Sequence, residues 1–503
     1  MTAEFLETAL RQLTTTDRAL FRAFGAGPIR TPPSDHVHHA FEAHAARRPR
    51  ATAVEHLGES ITYAELDTRA GLLAELLVRA GVRPGDHVGL FLTRSISMVV
   101  GVLAVLKAGA SYVPQDVSTT PEAQLRHVVR TARINVVLTT SADVLPEHLA
   151  TVITIDALPG AGGFCRTITA ESDVAAVVFA GTTGVRVTHA GLCNLVLTAP
   201  GSLGVTPGTR VAQLLDIGSD LAMWEVLGTL ANGGTLVLRG EDAERAASTA
   251  DVLITTPGLL ASLSPEACHR VRTVVVAGER CPQALADTWS RRAAFHHAWG
   301  PTEATVVSTV QRYEPGTGPL TAGRPVPNTT AYVLDDDLRP RPVGEIGEVW
   351  VGGAGVTAGY AGDLDLTAER YLPDPFLGRG VMFRTRDLGR WTADGQLEHR
   401  GRAGDRVEVL GHRFELLTVT AALERACERA ATVVHDGRLV GFISPRTAAP
   451  ELARRAVSQR LPHYCVPTLI VPLDALPTTA RGKVDRRALL NSLDGRRAPA
   501  LRA

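Results

Sequence analysis

From Ile61 onward the chain alternates short apolar, β-branched runs with stretches whose apolar positions recur every three or four residues. ITYAELDTRAGLLAELLVRAGVRPGDHVGLFL predicts a strand, a helix of 3.6 period, a Pro/Gly turn and a second strand, and MVVGVLAVLKAGASYVPQD predicts a helix running into a strand. VAAVVFAG, VAQLLDI, TLVLRG, DVLITTPG and VRTVVVAGE are compact apolar runs ended by turn residues, the pattern of parallel strands buried on both faces. The fold class this predicts is α/β, with a large layered N-terminal domain built on mostly parallel sheets. After Arg390 the pattern becomes polar and hairpin-like in DGQLEHRGRAGDRVEVLGHRFEL. A helix, the short strand VGFISP, another helix and LIVPLDALPTTARGKVDRRALL follow, which predicts a small α+β C-terminal domain.

At 503 residues and 45% hydrophobic composition the chain is long enough for several domains and a large core. Basic and acidic residues balance at 52 each, which leaves no electrostatic footprint for nucleic acid or an anionic membrane and points to small-molecule or protein partners. No stretch reaches the roughly 18 apolar residues of a membrane span, and the N-terminus lacks the pattern of a signal peptide. Six cysteines, Cys165, Cys193, Cys268, Cys281, Cys427 and Cys465, show no CxxC spacing and read as buried thiols; the expected location is cytoplasmic. Only Lys107 and Lys483 among the 52 basic residues are lysine. Where a generic positive charge suffices this chain uses arginine, so a remaining lysine is a candidate for a compact ammonium at a reacting centre. For Lys107, at the end of a helical stretch, chance survival is the favoured reading.

The stretch FAGTTGVRVTHAGL, Phe179 to Leu192, is a buried strand entering a Gly/Thr-rich turn. Gly181 and Gly184 let backbone N–H groups approach an anion and Thr182 and Thr183 offer hydroxyls, as in phosphate-binding loops, yet the loop carries no lysine. A plain strand-to-strand hairpin reads the same residues equally well.

Several stretches occur in a fixed order: ITYAEL (61–66), LKAGASYVPQD (106–116), the loop above, WGPTEATV (299–306), GEVWVGGAGVTAGY (347–360), FRTRDLGRW (383–391), GR (401–402), LPHYCVP (461–467) and RGKVDRRAL (481–489). Together they resemble the adenylate-forming superfamily, and most closely the amino-acid-activating adenylation domains of nonribosomal peptide synthetases. The resemblance implies two half-reactions: a carboxylate attacks the α-phosphate of ATP, with Mg²⁺, to give an acyl-AMP and pyrophosphate, and a carrier-protein phosphopantetheine thiol then displaces AMP. It implies domain bounds of 1–30 for a linker-like segment, 31–402 for the large domain and 403–503 for a small mobile domain that rotates between the steps.

The resemblance also assigns residues. Lys483 matches the catalytic lysine, Thr302 the α-phosphate contact and Glu303 the Mg²⁺-associated carboxylate, within a stretch that includes Gly300. Asp387 matches the aspartate that accepts from the ribose hydroxyls, Arg402 a nucleotide contact, and Trp299 and His399 fall where tyrosines near the adenine are usual. Asp220 matches the partner of a substrate α-ammonium, although SD ahead of LAMWEVLGTL also reads as a helix cap. The pocket positions become Leu221, Trp224, Ile254, Val275, Ala277, Ala298, Val306 and Val307, without a charge among them, so the implied substrate is an amino acid with an apolar side chain.

Departures cluster at the phosphates and the hinge. The loop has lost the family's Pro-Lys-Gly and a serine; Arg186 is the nearest cation, and Arg386 stands where a glycine is usual. Gly404 replaces the hinge aspartate with Asp405 one place late, Arg481 replaces an asparagine, and His297 replaces another ahead of GPTE. A working ligase with weakened phosphate binding is the leading expectation, and a degenerate domain kept as a scaffold or partner-binding module is the alternative. The chain ends soon after RGKVDRRALL, which suggests action on a carrier in trans or origin in a larger synthetase.

Overall fold

The computed structural model describes residues 9–10, 12–140, 149–155, 173–180, 182–402, 406–409, 412–461, 465–479 and 482–494. The runs read as buried strands form two large, mostly parallel sheets. In the six-stranded sheet, strands Thr151–Thr154, Val136–Thr139, His87–Leu92, Ser111–Asp116 and Val174–Ala180 are parallel neighbours, and Thr183–Thr188 closes the edge antiparallel. In the nine-stranded sheet the parallel centre runs Ala294–Trp299, Thr273–Val276, Val252–Thr255, Arg210–Gln213, Thr235–Leu238 and Thr52–His56, with antiparallel strands only at the margins. A five-stranded antiparallel sheet is built on the long strand Val381–Trp391. Beyond residue 402 lie the hairpin Arg406–Val409/His412–Glu415 and a three-stranded sheet of Arg429–His435, Arg438–Ser444 and Leu469–Pro472.

One apolar cluster joins helices Tyr63–Arg79, Ile96–Lys107 and Asp220–Leu230 to strands of both parallel sheets. The ITYAEL stretch starts its helix with a reciprocal cap: Thr62 Oγ1 accepts from the Glu65 N–H, and Glu65 Oε2 accepts from the Thr62 N–H at 2.8 Å. At the C-terminal end of Ile96–Lys107 the ammonium of Lys107, only 3% exposed, sits between Glu42 and Asp67, 2.8 Å from Asp67 Oδ1. Lys107 therefore has a structural role that chance survival does not describe, a buried point charge shared by two carboxylates at a helix C-terminus.

The segment expected to be linker-like packs onto the antiparallel sheet from residue 9. Leu10, Leu13 and Phe21 join Tyr332 and Trp350 in one cluster, and Gly27 donates to the Thr329 carbonyl. Among the described residues the cysteines are free thiols, four of them buried, and no helix is long and apolar enough to cross a membrane; Cys165 lies outside those residues.

Helix Asp220–Leu230 carries the segment on which the substrate reading rests, and every residue from Leu221 to Leu230 is buried. Its Glu225 carboxylate accepts from the Leu214 N–H at 2.8 Å and from Gln213 Nε2 at 2.8 Å. Arg94 in turn binds Gln213 and the Leu215 carbonyl. Burial outweighs these bonds and pushes the Glu225 carboxyl up to about 7. A folded-state value above the unfolded one means a contribution fully present below the unfolded value and lost as pH rises through about 7. Glu225→Gln should remove that loss, flattening the pH dependence of urea-unfolding stability between the usual carboxyl value and pH 8. One such group gives a slope of up to about 1.4 kcal/mol per pH unit; equal slopes in parent and variant would refute the assignment.

Candidate active site

Parallel α/β sheets bind ligands beyond the carboxyl ends of their strands. At that edge of the nine-stranded sheet lie the loops that follow Val252–Thr255, Thr273–Val276 and Ala294–Trp299. The last of these makes the sharpest turn: Thr302–Ala304 is a single 3₁₀ turn, followed by Thr305 at φ +52° and Val306 at φ +70°. A β-branched residue rarely adopts this left-handed region, so the loop stores strain where Thr302 and Glu303 are presented. Gly300 lets the loop close, since a Cβ there would lie 2.6 Å from the Ser308 nitrogen.

The two ends of the expected site meet in this loop. Thr302 Oγ1 donates to Asp220 Oδ2 at 2.5 Å. Asp220 is the first residue of its helix and Ser219 the cap, so the capping alternative falls to the neighbouring serine, which makes no side-chain cap bond. Glu303 Oε1 accepts from the Tyr360 hydroxyl at 2.8 Å. Leu221, Trp224, Ile254, Val275, Ala277, Ala298, Val306 and Val307 all belong to one buried cluster, gathered from the helix, three strand ends and the strained loop. The Trp224 indole N–H is anchored on the Gly201 carbonyl at 2.7 Å, which fixes the ring.

Around the rim, Asp387 is buried in the long antiparallel strand, and its Oδ1 faces Arg402 Nε at 3.0 Å and His399 Nε2 at 3.4 Å. The His399 ring lies 6.0 Å from that of Trp299 at an interplanar angle of 42°. Contacts thus run from Arg402 through Asp387 and His399 to Trp299, three residues before the Thr302 that bonds Asp220. Lys483 closes the other side. A Cβ placed on Gly278, at φ +87°, would lie 3.6 Å from both Leu221 Cδ1 and Lys483 Cε.

The Gly/Thr stretch forms a tight hairpin. Ala180 pairs with Thr183 and Phe179 with Gly184, leaving Gly181 and Thr182 between the paired positions; Gly181 lies outside the described residues. The Thr182 carbonyl accepts from His127 at 2.8 Å. Gly184 serves packing here, since a Cβ on it would lie 2.9 Å from Phe179 Cζ. Arg186 continues in the strand: its N–H donates to the Gly359 carbonyl at 2.9 Å and its guanidinium reaches the Ala358 carbonyl at 3.5 Å, two residues from the partner of Val185, Tyr360. Arg386 takes φ +61°, a conformation suited to the expected glycine, and its guanidinium is held by Glu369 at 2.6 Å. The His297 Nδ1 meets the Thr321 carbonyl at 2.5 Å, and burial pushes the ring down to about 4. Gly404, Asp405 and Arg481 lie outside the described residues.

Sequence reasoning missed three participants. Tyr360 sits in a quoted motif but had no role until its hydroxyl met Glu303; its signal was the lone aromatic ending GVTAGY. Glu279 follows a buried strand, and its two hydrogen bonds come from Arg429 and the Val484 N–H, far away in the chain. Gly278 carried no sequence signal beyond a strand end.

The family described as AMP-binding enzyme matches residues 41–361, and the chain belongs to it. Within that family it is an adenylate-forming domain of the nonribosomal peptide synthetase type. It is 42% identical over 499 residues to the adenylate-forming reductase 03009 of Coprinopsis cinerea, covering 95% of this chain and 49% of the reductase. The isonitrile lipopeptide synthase of Mycobacterium tuberculosis is 37% identical over 513 residues, 95% of this chain and 20% of the synthase. Among solved structures, Klebsiella oxytoca NpsA in complex with 3-hydroxyanthranilyl-AMSN superposes with a TM-score of 0.82 at 26% identity, over 91% of this chain and 99% of NpsA. A four-domain nonribosomal peptide synthetase bound to AMP and glycine gives 0.82 at 25% identity, over 94% of this chain and 37% of the synthetase. The chain spans about half the length of the reductase.

The hairpin geometry has a direct test. Gly184→Ala sets a Cβ 2.9 Å from the buried Phe179 ring, so it should destabilise the protein by about 1–3 kcal/mol although the glycine has ordinary φ. Denaturant unfolding measures this; an unchanged midpoint would mean that the Phe179 packing is wrong.

Proposed function

We propose that the chain activates an amino acid with an apolar side chain as its aminoacyl-AMP and passes it to the phosphopantetheine thiol of a carrier protein. The observation that carries this reading is the Thr302–Asp220 hydrogen bond, because it joins the groups assigned to the α-phosphate and to the substrate ammonium within one contact. In the first step a carboxylate oxygen forms a bond to the α-phosphorus and the α–β phosphoanhydride breaks, with pyrophosphate leaving. Lys483 supplies an ammonium between the two anions, where developing charge is greatest. Thr302 orients the α-phosphate and Asp220 the ammonium; the uncharged cluster around Trp224 takes the side chain. In the second step the carrier sulfur bonds to the acyl carbon and the mixed anhydride releases AMP.

The donor set fits the nucleotide and its metal. Asp387 offers a buried carboxylate to the ribose, Arg402 a charge beside it, and Trp299 with His399 two rings near the base. Among the described residues no three His, Cys, Asp or Glu side chains are grouped to hold a metal, whereas a single carboxylate at Glu303 suits Mg²⁺, which is commonly bound through one or two carboxylates and substrate phosphates. When bound, Mg²⁺ would neutralise phosphate charge; Tyr360 holds Glu303 in place for it. Thr182 and Thr183 in the shortened hairpin bind the distal phosphates less firmly than a lysine-bearing loop, so a raised KM for ATP accompanies this reading. The small domain, residues 403–503, would carry Lys483 into and out of the site, with residues 31–402 as the fixed body and 1–30 as an adjoining segment.

ATP/pyrophosphate exchange across apolar amino acids tests the proposal. The parent should exchange with an amino acid and fail with its des-amino analogue. Lys483→Ala should lower exchange by a factor of about 10² to 10³ while ATP binding persists. Equal activation of the des-amino analogue would remove Asp220 from its role and point to another carboxylic acid. No ATP binding by calorimetry with Mg²⁺ at millimolar nucleotide would leave the scaffold reading.

A further inference from the structure

On the activation reading Lys483 must reach the pocket edge for one step and leave it for the other, yet its own side chain is exposed. Something else must hold its loop. Two loops at the strand ends meet the C-terminal segment there. Glu279 Oε2 accepts from Arg429 Nη2 at 3.1 Å and Glu279 Oε1 accepts from the Val484 N–H, the amide next to Lys483, at 2.5 Å. One residue on, Arg280 is ion-paired with Glu424. In the neighbouring loop Thr256 Oγ1 lies 3.5 Å from the Gly482 carbonyl, and a Cβ on Gly258 would fall 2.8 Å from Arg429 Nη1 and 3.1 Å from the Gly482 oxygen.

We propose that Glu279 is a positioning residue for the adenylation step: with Arg280 it forms a charge-alternating latch that docks Arg429, Glu424 and the Gly482–Val484 backbone so that Lys483 lies at the pocket edge, and that this latch opens for thiol transfer. The proposal rests on the activation reading and adds to it the contact that selects between its two steps. Three features support a latch over ordinary packing. Both hydrogen bonds that Glu279 accepts come from beyond residue 402, so undocking strips the carboxylate of them together and lets water replace them. Burial pushes the Glu279 carboxyl upward, while the Val484 N–H, Arg429 and Lys483 pull it back, so its ionised form is stabilised chiefly by the docked segment. Finally, glutamate–arginine followed by arginine–glutamate fixes orientation as well as distance, because a shifted register sets like charges together.

The test separates the half-reactions in the full chain. Glu279→Gln should lower the kcat of ATP/pyrophosphate exchange at least tenfold with little change in the KM for ATP or amino acid. It should leave transfer from a synthetic aminoacyl-AMP to pantetheine at the parent rate. Gly258→Val, which wedges the same contact without altering charge, should give the same split. Arg280→Glu should impair exchange, and adding Glu424→Arg should restore it. Hydrogen exchange at the Val484 amide gives a readout independent of activity and should quicken at least tenfold in Glu279→Gln. Unchanged amide exchange, or a proportional fall of both half-reactions at unchanged thermal stability, would overturn the latch. Absence of exchange activity in the parent, with Val484 still deprotected by Glu279→Gln, would instead overturn the activation reading and leave the latch standing.

Discussion

The burial of helix Asp220–Leu230 between the parallel sheets is the constraint on which the site depends. Ten of its residues, Leu221 to Leu230, are buried, so the helix has no solvent face along which to slide or rotate. Glu225 fixes it in register by engaging the backbone of Leu214 and Leu215, the residues that follow a central strand. An interior carboxylate is costly unless its partners are in place, so the helix is held in the one geometry that satisfies them. That geometry sets Asp220 against Thr302, Trp224 on Gly201 and Leu221 beside Gly278. Asp220 and the apolar cluster around Trp224 are therefore presented by a rigid element, as the proposed activation would require of its pocket.

The parallel core could be read from the sequence because its signal is local. VAAVVFAG, VAQLLDI, TLVLRG, DVLITTPG and VRTVVVAGE each became a parallel strand, since a strand buried on both faces needs an unbroken apolar run and a turn to end it. The expected pocket residues came from the family resemblance, and the fold gathers them into one buried cluster. What could not be read were pairings between distant positions. Glu279 looks like a solvated charge after a strand until Arg429 and Val484 arrive. Tyr360 and Glu303 are likewise joined only by the fold. Lys107 looked incidental because its partners, Glu42 and Asp67, come from two other helices.

The Gly/Thr hairpin shows a different limit. Glycine at Gly184 signals either freedom of φ or lack of a side chain, and composition cannot distinguish the two. The structure selects the second, since the ring of Phe179 occupies the space a Cβ would need. Arg386 presents the converse: a bulky residue takes the left-handed conformation because the strand bulges there, and Glu348 and Glu369 hold it. In both cases local sequence gave a residue type whose reason lay in a neighbouring strand.

Charge placement links these observations to the chemistry. The two arginines that the sequence offered in place of the loop lysine are engaged elsewhere, Arg186 with the Ala358 carbonyl and Arg386 with Glu369. Arginine holds such contacts well because its planar fork makes several directed bonds, but the same fork ties it to them. On the proposed activation a compact ammonium is needed where a charge must move between two anions without a fixed partner, and Lys483 would meet that need. Under that proposal phosphate affinity given up at the hairpin would weaken ground-state binding, while an ammonium that arrives with the docked loop would act where the new bond forms. A site arranged this way would concentrate its electrostatic contribution in the transition state, where such a contribution raises turnover and not merely occupancy.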